Sequence, residues 1–302
     1  KFLHKRNNKD WFIRKGVWQI NNPIVIQGNL TIEKGTTLKF NESSYLIING
    51  NLISTAPKDE KILLTSSGNS WGGLYVYESS IESKLKNTTI SNTTSIQDGI
   101  LDLSGGVTFY NADVSIENVE FLNSMSEDML NIVNSKYLLN NITMNRALSD
   151  AIDFDFSKGS IDNIKVSNVK GDALDFSGGI STISNANIFN VKDKAFSAGE
   201  ESYLTINKSG ISGVGVGVAS KDGSQVSVFN TLFKDVTLSP AMTFIKKSFY
   251  EAPKLVLQSC DIDVDSDLIA QTGTSIFVDG VQIETQDVNV EKLYQSNVMR
   301  NE

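Results

Sequence analysis

Asp150-Ala-Ile-Asp-Phe-Asp155, Asp172-Ala-Leu-Asp-Phe-Ser177, Lys194-Ala-Phe-Ser-Ala-Gly199 and Val216-Gly-Val-Ala-Ser-Lys221 follow one another at intervals of 22 residues. Ala151, Ala173, Ala195 and Gly217 fall in one column of small residues, and Ile152, Leu174, Phe196 and Val218 in an apolar one. Met129 and Leu130 carry both columns one period upstream. A fixed period in the twenties with one small and one apolar column is the mark of a solenoid, whose repeats bury their apolar faces only against their neighbours. Short alternating runs lie between, such as Ser160-Ile-Asp-Asn-Ile-Lys-Val166 and Tyr203-Leu-Thr-Ile206, separated by Gly, Asn, Asp and Ser. These read as strands and tight turns, and no stretch sustains the helical stripe of a two-helix repeat. Asn141, Asn163, Asn185 and Asn207 form a further column at the same spacing. Amides stacked about 4.8 Å apart are expected to hydrogen-bond along the axis and satisfy one another at a buried turn. The expected fold is therefore all-β: a single-stranded, right-handed parallel β-helix with a coil of about 22 residues.

In a solenoid, 302 residues make one elongated domain, here roughly 12 coils in a rod about 55–60 Å long. The charged and aromatic stretch 1–19, with Trp11, Phe12 and Trp18, is expected to cap the open first coil. The β-helix is expected over 20–285, and 286–302 as a C-terminal cap that frays into a tail. Gly28-Asn-Leu30 and Gly50-Asn-Leu52 keep the 22-residue spacing, and Leu30/Ile32, Leu38/Phe40 and Leu46/Ile48 each point two residues inward. Asp98-Gly-Ile-Leu-Asp102 resembles the later acidic copies, but Gly99 lies 30 residues before Met129. The excess over one period predicts a loop insertion near Leu103–Asp113.

A net charge of −8 and a pI near 4.9 argue against nucleic acid and against a basic membrane patch. One cysteine, Cys260, excludes an internal disulfide, and its strand-like setting predicts a buried filler. No run of 18 apolar residues spans a membrane. Lys1-Phe-Leu-His-Lys-Arg6, without an initiating Met, reads as an internal boundary. A secreted, periplasmic or cell-surface location is expected from the architecture. His4 is the only histidine, so histidine triads and zinc sites are not expected. Ser212-Gly-Val-Gly-Val-Gly-Val218 imitates a dinucleotide loop but sits in the small-residue column, so it reads as structural.

Stacking turns columns into surface lines. Asp128, Asp150, Asp172 and Lys194 make one, Asn131, Asp153, Asp175 and Ser197 a second, and Asp155, Ser177, Gly199 and Lys221 a third, with Glu200 and Asp222 neighbours in a fourth. Carboxylates at that spacing repel by roughly 1–4 kcal/mol per pair, so cations, protons or hydrogen bonds must sit among them. Asp at strand ends also accepts turn amides, which is a purely structural use of the same residues. Three chemistries fit the pattern. Glu200 and Asp222 are candidates for a hydrolase carboxyl pair, assisted by Asp175 or Asp153. Lys194 or Lys221 is a candidate base for a polysaccharide lyase if burial lowers its pKa. Asp150, Asp153, Asp172 and Asp175 offer oxygen ligands for calcium. A non-catalytic groove with exposed aromatic platforms is a further possibility, with Asp153, Asp172, Asp175, Lys246 and Lys247 as substrate contacts.

Asp150-Ala-Ile-Asp153, Gly171-Asp-Ala-Leu-Asp-Phe-Ser-Gly178, Asp193-Lys-Ala-Phe-Ser-Ala-Gly-Glu-Glu-Ser202, Ala219-Ser-Lys-Asp-Gly-Ser224 and Lys246-Lys-Ser-Phe-Tyr250 occur in that order. Together they resemble bacterial right-handed β-helix domains of the pectate-lyase-like superfamily, some of which accompany spore-coat-protein-H-like kinase domains. The resemblance covers about 140–250 and implies an exported role near polysaccharide. The polygalacturonase run of Asn-Thr-Asp, Asp-Asp and His is absent, as is a clear lyase Arg motif. The chain reads as an exported or cell-envelope polysaccharide-interacting protein, a hydrolase or lyase if an enzyme; the alternative is a scaffold for protein partners in an envelope assembly.

Overall fold

The computed structural model describes residues 2–263 and 267–299. Lys1 of the expected cap and 300–302 of the expected tail lie outside these. The chain divides into two units, Lys1–Ser149 and Asp150–Glu302. Both are parallel β-solenoids, and between them they carry about 12 turns with a period near 22 residues.

In the first unit the inward pairs read from the sequence are buried, Leu30, Leu38, Phe40, Leu46 and Ile48 completely. Leu30 pairs in parallel with Leu52, and Leu74 with both Leu46 and Val107. Trp71 fills the core by stacking on Phe40 at 4.1 Å. Two expectations need correction here. Leu3–Lys5 folds antiparallel onto Asp10–Ile13, but Asp10–Ile13 and Val17–Ile20 already pair in parallel with later strands. Solenoid pairing thus begins inside the stretch expected as a cap. The insertion is an antiparallel hairpin, Ile96–Asp98 with Leu101–Leu103, turning at Gly99 with φ 63°. It lies ahead of the expected position, and Asp113 belongs to the long strand Val107–Ser124. The acidic pattern of Asp98–Asp102 misleads because Thr108 is the register partner of Asn131, so Gly105 stands where Asp128 stands one coil on.

In the second unit Ile152 pairs with Leu174, Leu174 with Phe196 and Phe196 with Val218. All four are fully buried, as are Phe154 and Phe176, whose rings stack 4.7 Å apart and 8° from parallel. A side chain repeated every coil therefore packs on its own copy, and dispersion between like shapes adds to the register that the backbone ladder sets. Cys260 is half-buried, its thiol 3.6 Å from the Val228 carbonyl oxygen, so it edges the core where a filler was expected.

The asparagine column needs a different explanation from the one expected. Asn141, Asn163 and Asn185 are exposed, with φ near 55°. Asparagine occupies more of the left-handed positions than all other non-glycine residues together among the described residues. The column is set by the backbone, because Asn tolerates a left-handed corner that other side chains enter only at a cost. Hydrogen bonds along the corners follow from that: Asn190 Nδ2 donates to Asn168 Oδ1 at 2.6 Å, and Asn185 Nδ2 to Asp162 Oδ1 at 2.7 Å. Asn185→Ala is expected to cost about 1–2 kcal/mol in urea unfolding and Asn185→Gly clearly less, the reverse of the order for a corner held by the amide alone.

Candidate functional site

The site belongs to the outer face of one sheet of the second unit. Asp153 and Asp155, then Asp175 and Ser177, point outward from successive coils and are partly accessible. Two coils on, the same columns hold Ala219 and Lys221, and after those Met242 and Phe244. The face therefore runs from acidic to apolar, and its apolar end is covered. Asn289 caps the short helix Val290–Tyr294, its Oδ1 accepting the Lys292 amide, and the chain continues to a fully buried Met299. Tyr294 and Met299 pack on Val216, Ala219, Met242 and Phe244. The stretch expected to fray is thus a docked strap across the sheet. The signal was legible in the sequence: Met242 and Phe244 are apolar on the outward parity of their strand, and Leu293, Tyr294, Val298 and Met299 match them.

At the edge of the strap the charged residues converge. Carboxylate oxygens of Asp150, Asp172 and Asp175 all lie within 4.8 Å of one another. Asp153, expected in the same group, is not part of it. Asp150 Oδ1 accepts the Asp172 amide at 2.7 Å, and Asp172 Oδ1 accepts the Lys194 amide at 2.9 Å, so each carboxylate also fastens the next coil. The Lys194 ammonium donates to Asp193 Oδ1 at 2.7 Å and sits 3.0 Å from Asp172 Oδ1. Asp172, Asp193, Lys194 and Lys221 are buried, whereas Asp150 and Asp175 keep some exposure. Tyr294 closes the cluster from above, with Lys194 Nζ 5.9 Å and Lys246 Nζ 4.6 Å from its ring centre. Its hydroxyl is buried without a hydrogen-bond partner.

This arrangement separates the proton affinities. Burial, reinforced by Asp172 and Asp175, pushes Asp150 up to about 8. Burial also raises Asp172, against the pull of Lys194. Burial works on Asp175 in the same direction, but the Lys221 and Lys194 ammoniums outweigh it and hold its carboxyl below the usual range. Burial tends to lower both lysines, yet Asp172 and Asp193 raise Lys194, and Asp175 raises Lys221. Both lysines are therefore held protonated at neutral pH, the opposite of what a lysine base needs. Of the four carboxylates expected to ligate calcium, Asp150, Asp172 and Asp175 lie close enough to share a cation.

The remaining sequence candidates stand apart. Glu200 pairs with the Lys247 ammonium. Asp222 is buried and accepts the Lys246 and Lys247 amides at 2.7 and 2.8 Å. Asp222 thereby fastens the turn that presents both lysines, and Glu200 is committed to one of them. One exposed aromatic residue escaped the sequence reading. Phe156 is 63% exposed beside Asp155 and sits at φ 49°, in the corner column it shares with Gly178, Glu200 and Asp222. Phenylalanine in a left-handed corner costs roughly 1–2 kcal/mol, which burial does not offset here.

Removing Lys194 leaves Asp172 and Asp193 buried and uncompensated, so Lys194→Met is expected to cost about 3–5 kcal/mol in denaturant unfolding. Asp150 is raised above its unfolded value, so its contribution to stability is full below about pH 4 and is lost as pH rises through about 8. Melting curves are expected to show the wild type losing stability between about pH 4 and pH 8, and Asp150→Asn, which keeps the acceptor for the Asp172 amide, losing less.

No protein-family model matches the chain, and no curated protein matches it by sequence. Among solved structures it is similar to the periplasmic alginate epimerase AlgG. A double mutant of that protein superposes with TM-score 0.54 at 12% identity, over 95% of this chain and 80% of that one. Unmutated AlgG gives TM-score 0.51 at 12% identity over the same shares. An exopolygalacturonase from Thermotoga maritima gives TM-score 0.45 at 10% identity, over 90% of this chain and 84% of that one. No helix among the described residues is long and apolar enough to cross a membrane. The chain is a parallel β-solenoid and shares that fold with the alginate epimerase.

Proposed function

We propose that the second unit hydrolyses a polysaccharide laid along its acidic sheet face, with Asp150 as proton donor and Asp175 as the ionised partner. The observation that carries this reading is the pair itself. Two accessible carboxyls approach within 4.8 Å, and their surroundings drive one up to about 8 and the other below its usual value. Carboxyls whose environments push their proton affinities apart supply the acid and the nucleophile or base of glycoside cleavage. Their approach is nearer the roughly 5–5.5 Å of double-displacement enzymes than the roughly 6.5–9.5 Å that leaves room for a water. Asp150 protonates the glycosidic oxygen as the bond breaks, and Asp175 takes the sugar carbon and then yields it to water. Asp172, Lys194 and Lys221 hold the pair in place and keep Asp175 ionised from beneath.

Phe156 supports a sugar ligand. An aromatic ring held exposed beside an acidic sheet face offers an apolar surface for the C–H face of a sugar. The shared fold adds weight, since the alginate epimerase acts on a polysaccharide and is periplasmic. An extracytoplasmic setting belongs to the same proposal. Lyase chemistry through Lys194 or Lys221 is disfavoured because their carboxylate neighbours keep them protonated.

The test is incubation with acidic and neutral bacterial polysaccharides, following reducing ends and unsaturated-uronate absorbance together. New reducing ends without absorbance are expected, with activity falling above about pH 8 as Asp150 loses its proton. Asp150→Asn and Asp175→Asn are each expected to lower the rate by about 100-fold or more, and Glu200→Gln to leave it nearly unchanged. Loss of activity in Glu200→Gln alone would return the catalytic pair to Glu200 and Asp222.

A further inference from the structure

The corner preceding the charged cluster carries its own departure from the repeat. Asn168-Val-Lys170 and Asn190-Val-Lys192 are consecutive copies, with Val169 paired to Val191. In the next coil Val214 pairs with Val191, so the corresponding tripeptide is Gly213-Val-Gly215. The inward valine is kept and both projecting side chains are deleted. Gly213 retains the left-handed corner at φ 60°. Gly215 has no room for a side chain, because a Cβ there would lie 2.5 Å from both the Lys192 carbonyl oxygen and Val298. The deletion opens a cleft of about 520 Å³, walled by Lys170, Lys192, Asn190, Thr237, Asn297 and Val298.

The chemistry of these walls is selective. In a chain of net charge −8, no carboxylate among the described residues lines the cleft and two lysines do. Lys170 and Lys192 occupy adjacent rungs, about 4.8 Å apart along the axis, close enough for one anion to meet both cations. The corner ladder ends at this point. Asn190 Nδ2 is spent on Asn168, and Gly213 has no amide to donate to Asn190 Oδ1. That oxygen, the Thr237 hydroxyl and the Asn297 amide are groups that pair with hydroxyls. A cleft of this size with two cations and several neutral hydrogen-bonding groups fits a carboxylated sugar better than a bare anion. Lys170 is two residues before Asp172, at most about 7 Å of chain, so the cleft adjoins the carboxyl cluster.

We infer that this cleft binds a uronate unit of the polysaccharide, the carboxylate bridging Lys170 and Lys192 and the ring hydroxyls meeting Asn190, Thr237 and Asn297. The inference rests on the polysaccharide reading above and names its substrate class as acidic. It is tested on the full chain by calorimetric titration with a galacturonate hexasaccharide, a neutral glucose hexasaccharide and inorganic phosphate. Two variants separate the cleft from the rest of the face. Lys170→Gln with Lys192→Gln removes the charge. Gly213→Asn refills the notch with the residue the repeat uses, at a φ that Asn accepts and with no neighbour closer than 3.7 Å to its Cβ. The uronate is expected to bind in a salt-sensitive manner, with both variants weakening it ~10-fold or more at unchanged melting temperature. Variants that bind it as the wild type does would overturn the cleft while leaving the polysaccharide reading intact. Phosphate binding as tight as the uronate would reduce the site to an anion patch. No binding of either sugar would remove both readings together.

Discussion

Everything in this protein depends on the parallel ladder that lays each residue on the one a coil earlier. Because the register is shared by backbone and core, Ile152, Leu174, Phe196 and Val218 stack as one column, and whatever stands beside them stacks as well. A solenoid therefore cannot place a single carboxylate on its outer face without deciding what sits about 4.8 Å above and below it. Where the repeat is kept, like lies on like. That is favourable for phenylalanine and costly for aspartate.

The charged cluster shows how the cost is contained. Asp150 and Asp172 each accept an amide of the following coil, and the next member of their column is Lys194 instead of another acid. The column thus ends in its own counter-ion. What remains uncompensated is the accessible rim, where Asp150 is pushed up and Asp175 held down by the lysines beneath it. The same constraint that makes stacked acids expensive separates their protonation states.

The strap at 290–299 completes the second unit. Outward-facing Ala219, Met242 and Phe244 would expose an apolar patch beside the acidic face, and Tyr294 and Met299 cover it. Tyr294 also forms part of the ceiling over Lys194, and Val298 reaches the corner because Gly215 has no side chain. One short segment thereby shapes both the acidic site and the cleft next to it.

The sequence by itself determined the fold, the period and the face that carries the charge. Those follow from column identity: small and apolar residues at a constant spacing admit one way of stacking. It also located the acidic residues at 150–175 and the lysines at 194 and 221. Tertiary structure decided which of them meet. Glu200 and Asp222 look alike on paper, but the turn at 246–247 claims both, through the Lys247 ammonium and through two backbone amides. Asp153 shares a column with Asp175 yet is not part of the converging group. The asparagines announce a ladder, but their left-handed corners, which a sequence does not print, explain why they recur. Spacing fixes the rung on which a side chain stands. Its partners and its proton affinity depend on burial and on loops that return from far along the chain, and only the folded structure brings those together.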